Sequence, residues 1–128
     1  MATVIGIFEN QYLRKKPLTV VKPGTQARRF THIYDTVQVC YEAFKSDKCK
    51  YYSISHKNSY SIIKVARMFK SKVIFLKPRL GERYASALTK ISNNNKIIHK
   101  YGKLQLKEYI SSFIKSCKLW KLKAHWNL

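Results

Sequence analysis

Two four-residue apolar runs constrain this chain more than any other feature: Leu18-Thr19-Val20-Val21, closed by Pro23-Gly24, and Val73-Ile74-Phe75-Leu76, closed by Pro78. Short β-branched runs that stop at proline read as strands, since proline cannot donate to a sheet ladder and discourages helix in the residue before it. Segments of helical period flank both runs. Val4, Ile5, Ile7, Phe8, Tyr12 and Leu13 predict a first helix of about ten residues, ending before Lys16-Pro17.

Between the two runs, residues 30–33 read as a second short strand. Asp35, followed three residues later by Gln38, resembles a capping box for a helix that carries Val37, Cys40, Tyr41 and Phe44 on one face, which is expected to pack on the sheet. Tyr51-Tyr52-Ser53-Ile54-Ser55 predicts another strand, and Asn58-Ser59 a cap for a helix with Ile62, Val65, Ala66 and Phe69 on a shared face. Arg79-Leu80-Gly81-Glu82-Arg83 reads as a charged loop. After the polar Ser92-Asn93-Asn94-Asn95, residues Leu106, Tyr109, Ile110, Phe113, Ile114 and Cys117 mark the cleanest amphipathic helix. Strands alternating with helices place the chain in the α/β class.

Composition narrows the function classes. A chain of 128 residues, 45% hydrophobic and 13% aromatic, suffices for one domain with a modest core and is not a disordered tail. Its formal charge of +20 would attract polyanions: nucleic acid, anionic lipid or phosphorylated metabolites. Charge alone does not choose among them, because the lysines, such as Lys15, Lys48, Lys64, Lys72, Lys100 and Lys118, are spread along the whole chain. Cys40, Cys49 and Cys117 make no C-x-x-C pair, so neither a zinc site nor a disulfide framework is indicated, and a reduced, cytoplasmic protein is expected. The opening MATVIGIFENQ has no basic region and meets Glu9 early, so no signal peptide is read there. No run approaches the ~18 apolar residues of a membrane span.

The order PLTVV, GTQARRFTHIYDT, YYSIS, SYSIIKVARMF and FLKPRLGERYASAL resembles the C-terminal half of the NAD-dependent epimerase/dehydratase family. These are extended short-chain dehydrogenases that act on nucleotide sugars, UDP-glucose 4-epimerases being the best-known type. The resemblance runs from about Thr3 to Phe113; residues 1–116 would form the substrate-binding part, and 117–128 a basic aromatic tail. Its most specific element is the arginine-aromatic-x-His-x-x-Asp stretch combined with the later Arg-x-Gly-Glu. It implies an α/β fold that is part of an extended short-chain dehydrogenase, without the N-terminal dinucleotide-binding Rossmann half.

The resemblance also implies a site. Arg28 stands where the family's R-D-F-x-H-V-D-D motif reaches the substrate diphosphate, and Arg79, in a loop resembling R-x-G-D, would meet the same phosphates from the other side. A planar guanidinium suits that task, donating paired hydrogen bonds to phosphate oxygens. Arg29, His32, Asp35 and Glu82 are supporting candidates. Arg29 replaces the family's usual aspartate, and Tyr34 the first of its two aspartates, which removes two local negative charges. Read from the residues alone, His32 lacks a nucleophile and acid around it and is structural, while Asp35 suits a helix cap better than a general base. His56, His99 and His125 have no metal-ligand spacing.

Two family features are missing. NAD is held by a G-x-x-G-x-x-G turn, and the only glycines here are Gly6, Gly24, Gly81 and Gly102, none closely spaced. Tyr12 and Lys16 match the Tyr-x-x-x-Lys interval, but they lie in a segment resembling the helix that follows the catalytic half. The expected function is therefore nucleotide-sugar binding, catalytically incomplete alone, with no cofactor bound by this chain and NAD implied for a complete enzyme. A separate N-terminal catalytic half or a second copy is the expected protein partner. The alternative is a basic module binding nucleic acid or an RNA-rich assembly, resting on the net charge and on KLWKLK, where Lys118, Lys121 and Lys123 flank Trp120, with Trp126 beyond.

Overall fold

The computed structural model describes residues 3–46, 51–81 and 97–126, with side chains through Leu119. Helix α1 (Val4–Leu13) starts at Thr3, whose hydroxyl accepts from the Gly6 amide at 3.2 Å. Strand β1 (Leu18–Val21) buries Leu18 and Val20 on one face, the alternation expected of a pleated strand. The Gln11 carboxamide ties the two together: it donates to Thr19 Oγ1 at 2.8 Å and accepts from the Thr19 amide at 3.0 Å.

Strand β2 (Ala27–Arg28) leads to α2 (Ile33–Lys45), then β3 (Tyr51–His56), β4 (Tyr60–Ser61), α3 (Ile62–Met68), β5 (Val73–Leu76), β6 (Ile97–Gly102) and α4 (Leu106–Trp126). Among the described residues the strands form three two-stranded sheets: β1 with β5 and β3 with β6, both parallel, and β2 with β4, antiparallel. The core is built from Phe8, Leu18, Val20, Val65, Phe69 and Ile110, all almost fully buried. Phe69 meets Phe8 edge-on at 5.9 Å and Phe113 at 6.2 Å, so α1, α3 and α4 share one aromatic contact. Tyr12 packs into the same cluster, 6.0 Å from Phe113. Tyr12 is thus held by aromatic packing at the edge of the core.

The turn after β1 needs its glycine. Gly24 has φ +68°, and a Cβ there would lie 2.5 Å from Val20 Cγ1 and 2.8 Å from Ile63 Cγ1. Its carbonyl accepts from the Ile63 amide at 3.1 Å, docking the turn on the start of α3.

Several sequence expectations are corrected. Residues 30–33 are not a strand: the ladder closes earlier, at Ala27–Arg28, and Ile33 already belongs to α2. The cap of α2 is His32, whose Nδ1 accepts from the Tyr34 amide at 3.1 Å. Asp35 lies in the first turn and is buried, its carboxylate engaged by a distant segment instead. The face of Val37, Cys40, Tyr41 and Phe44 does not pack on the sheet; Asp35 and Val39 are the buried residues of α2. Helix α3 is capped by Ser61, which accepts from the Lys64 amide, rather than by Asn58-Ser59. The expected helix from Leu106 is present and continues through Ser116 to Trp126 without interruption. Glu82, Cys49 and the 92–95 stretch lie outside the described residues.

Candidate functional site

Strands β1 and β5 run parallel and end together, Val21 beside Leu76. In α/β sheets the carboxyl ends of parallel strands border ligand crevices. A cavity of about 460 Å³ opens there, with Val21, Leu76, Ile62 and Gln26 in its wall and with both Arg28 and Arg79 in its lining. Arg28 enters from β2, where it pairs with Tyr60, and its Nη1 donates to the Ala27 carbonyl at 2.9 Å. Arg79 enters from the segment that follows β5. Two cations, distant in sequence, thus face one partly apolar space.

Gln26, which the sequence reading did not assign, also borders this cavity. It is 7% exposed, and its Oε1 has no hydrogen-bond partner among the described residues. A buried amide oxygen without a donor is costly to the fold. Its signal lay in the stretch GTQARRF, two residues before Arg28, but nothing local distinguishes it from a surface glutamine.

Arg29 does different work from its neighbour. Its Nη1 donates to the carbonyls of His56 at 3.1 Å and Lys57 at 2.8 Å, bracing the end of β3. Successive side chains on extended backbone point to opposite sides, which separates Arg28 from Arg29. Asp35 Oδ2 accepts the amides of Lys103 and Leu104, each at 3.0 Å, and a Cβ on Gly102 would lie 2.9 Å from that oxygen. The acid holds the chain that leaves β6, and neither Arg29 nor Asp35 lines the arginine cavity.

His32 lines a second cavity of about 290 Å³ with Ile5, Phe30, Leu106 and Tyr109. No arginine or lysine is in its lining. The Tyr109 hydroxyl donates to Glu9 Oε1 at 2.6 Å. That hydrogen bond, then burial and the Glu9 charge, push the Tyr109 phenol up to about 12. On the β3–β6 sheet, His99 is buried with Nδ1 2.7 Å from Ser53 Oγ; burial and then the Arg29 charge hold its imidazole below the ordinary histidine value.

The described glycines stand apart from one another rather than in one G-x-x-G-x-x-G turn. Gly24 is filled by Val20 and Ile63, Gly102 abuts Asp35, and no glycine lines either cavity. Among the described residues, no three His, Cys, Asp or Glu side chains group so as to hold a metal ion. No described helix is long and apolar enough to cross a membrane.

No protein-family model matches the sequence, and no curated protein matches it. Solved structures do match the fold. The UDP-glucuronic acid 4-epimerase of Bacillus cereus, solved with UDP-glucuronic acid and NAD, is 21% identical, with a TM-score of 0.65 over 91% of this chain and 40% of that one. The UDP-glucose 4-epimerase of Thermotoga maritima, solved with UDP-glucose, is 17% identical, with a TM-score of 0.68 over 89% of this chain and 38% of that one. An NAD-dependent NDP-hexosamine 5,6-dehydratase involved in tunicamycin biosynthesis is 22% identical, with a TM-score of 0.66 and coverages of 89% and 39%. The chain spans about two fifths of the length of these structures. It has the α/β fold of one part of an NAD-dependent sugar-nucleotide epimerase or dehydratase.

Proposed function

We propose that this chain is the substrate-binding, C-terminal part of a sugar-nucleotide epimerase or dehydratase, and that Arg28 and Arg79 clasp the diphosphate of a UDP-sugar. The observation that carries the reading is their joint placement in one cavity at the carboxyl ends of β1 and β5. Guanidinium groups entering from separate elements suit a diphosphate, which offers oxygens on two sides. Hydride and proton transfer belong to the NAD-binding part of a complete enzyme, so the chain alone binds without turning over.

Calorimetry with UDP tests this. UDP is expected to bind the full chain, with Arg28→Ala and Arg79→Ala each weakening binding by about 1.5–3 kcal/mol and Arg28→Lys recovering part of the loss. NAD at about millimolar concentration is expected not to bind, for want of a glycine cradle. Ordinary UDP affinity in the Arg28-Arg79 double alanine variant refutes the reading.

The net charge of +20 favours a second reading, nucleic-acid binding. Its signature is steep loss of duplex affinity with salt; weak binding at about 50 mM salt retires it.

A further inference from the structure

The register of β3 against β6 sets Ser53 beside His99 and Ser55 beside Tyr101. Side chains alternate along a strand, so Tyr51, Ser53 and Ser55 share one face of this sheet with Ile97, His99 and Tyr101. The other face belongs to α2: the Tyr52 hydroxyl meets Ser46 Oγ at 2.7 Å, and Lys100 pairs with Glu42 at 3.1 Å. The serine face is therefore turned away from α2, and Tyr51, Ser53 and Tyr101 on it are exposed.

His99 lies in this face, 9% exposed, with a serine at each ring nitrogen. Its Nδ1 is 2.7 Å from Ser53 Oγ, and its Nε2 is 3.4 Å from Ser55 Oγ. With the ring proton on Nε2, directed at Ser55, Nδ1 is left to accept the proton of Ser53. Tyr101 packs edge-on against the ring at 4.8 Å. The charges nearby are cationic: Arg29, from the segment between β2 and α2, and Lys57, whose ammonium lies over the Tyr101 ring at 5.1 Å. Burial and then the Arg29 charge favour the neutral imidazole, the form that acts as a base. An exposed hydroxyl, a base within hydrogen-bond reach and a third group on the far nitrogen of that base are the parts of an activated nucleophile. None of the three lines the arginine cavity.

We propose that Ser53 is a nucleophile for acyl transfer from small aryl esters, with His99 as its general base and Ser55 as the positioning residue that holds the ring. The exposed rings of Tyr51 and Tyr101 on the same face suit an aromatic leaving group. The Ser53 oxygen bonds to the acyl carbon while its proton passes to His99 Nδ1. The ester C–O bond then breaks, and the leaving oxygen takes that proton away as the phenol. Water attacking the acyl carbon gives a proton to His99, which returns it to Ser53 Oγ as the carboxylic acid departs. This activity stands apart from the UDP-sugar reading and needs no cofactor.

The test treats the full chain with p-nitrophenyl acetate, reads p-nitrophenol release between about pH 5.5 and 8, and maps the acetylated residues by peptide mass. Ser53 is expected to carry the acetyl group, at a rate that is level above about pH 7 and falls below 6.5 as His99 takes up a proton. A serine without a base reacts through its alkoxide instead, and its rate climbs about tenfold per pH unit. His99→Gln should slow Ser53 acetylation on the order of 100-fold. Ser55→Ala should slow it about tenfold or less and move the midpoint of the pH profile, which a merely structural role would not do. Ser53→Ala, at an exposed position, should lose the fast release of p-nitrophenol with its circular dichroism unchanged, and Ser111→Ala on α4 should match the parent. Acetylation of Ser53 no faster than of the exposed Ser111, a rate that keeps climbing through pH 8, or undiminished release by Ser53→Ala would each overturn the proposal. The pH profile is read on the parent chain, so it decides the matter even where His99→Gln does not fold.

Discussion

Replacing Asp35 by alanine tests what holds α2 against the end of β6. The carboxylate accepts two amides, from Lys103 and Leu104, at 3.0 Å each, and the residue is only 7% exposed. Losing a partly buried acceptor costs about 1 kcal/mol or more for each stranded donor, and losing an anion from the first turn of a helix removes up to about 1 kcal/mol more. The sum is about 3 kcal/mol. With a urea slope near 1.5 kcal/mol per molar, the unfolding midpoint should fall by about 2 M, read by far-ultraviolet circular dichroism. Asp35→Asn keeps an acceptor and loses the charge, and should fall by roughly a third as much. A cap role, as the sequence spacing suggested, predicts a loss of only about 1 kcal/mol for alanine. A midpoint within about 0.5 M of the parent, or alanine and asparagine behaving alike, refutes the clamp.

Because the His99 imidazole is held below its ordinary value of 6.5, the unfolded chain takes up its proton first as the solution is acidified. Stability should be fully present above pH 6.5 and decline below it, by at most about 1.4 kcal/mol per pH unit from this group, and His99→Gln should flatten that decline. Tyr109 works in the opposite sense: its phenol is raised from 10.0 to about 12, so its contribution is intact below pH 10 and lost as pH rises through 12, and Tyr109→Phe should remove that alkaline loss in a pH-dependent melt. Gly24→Ala should destabilise by about 2–4 kcal/mol in urea unfolding, combining a left-handed backbone with a Cβ 2.5 Å from Val20 Cγ1; a loss under about 1 kcal/mol would mean the turn relaxes freely.

The elements legible in the sequence were those whose signals are local. Leu18–Val21 and Val73–Leu76 are short, β-branched and closed by proline, and α1 stops where Lys16-Pro17 must stop it. Periodicity found α2 but assigned its apolar stripe to the sheet, because a pattern records that a face is apolar and not what lies against it. Strand β6 passed unnoticed because Ile97-Ile98-His99-Lys100-Tyr101 mixes apolar with basic residues, and its pairing with β3 is long-range. Asp35 looked like a cap because the residues it serves, Lys103 and Leu104, are remote in sequence. At the site, Arg28 and Arg79 could be named from a resemblance, while their meeting in one cavity and the buried oxygen of Gln26 emerge only from the packing of β1, β2 and β5.

The two parallel pairs interleave along the chain. Strand β1 at 18–21 waits for β5 at 73–76, while β3 at 51–56, inside that span, waits for β6 at 97–102, outside it. Any cut between residues 57 and 72 therefore severs both pairs at once, and neither resulting piece keeps either of them whole. During synthesis, the first parallel pair forms only after residue 76 has left the ribosome, and the second only after residue 102. An ordered intermediate made of residues before 72 has neither of these two pairs to rest on. The sheets join segments distant in sequence into one cooperative unit, whose assembly must follow synthesis of residue 102.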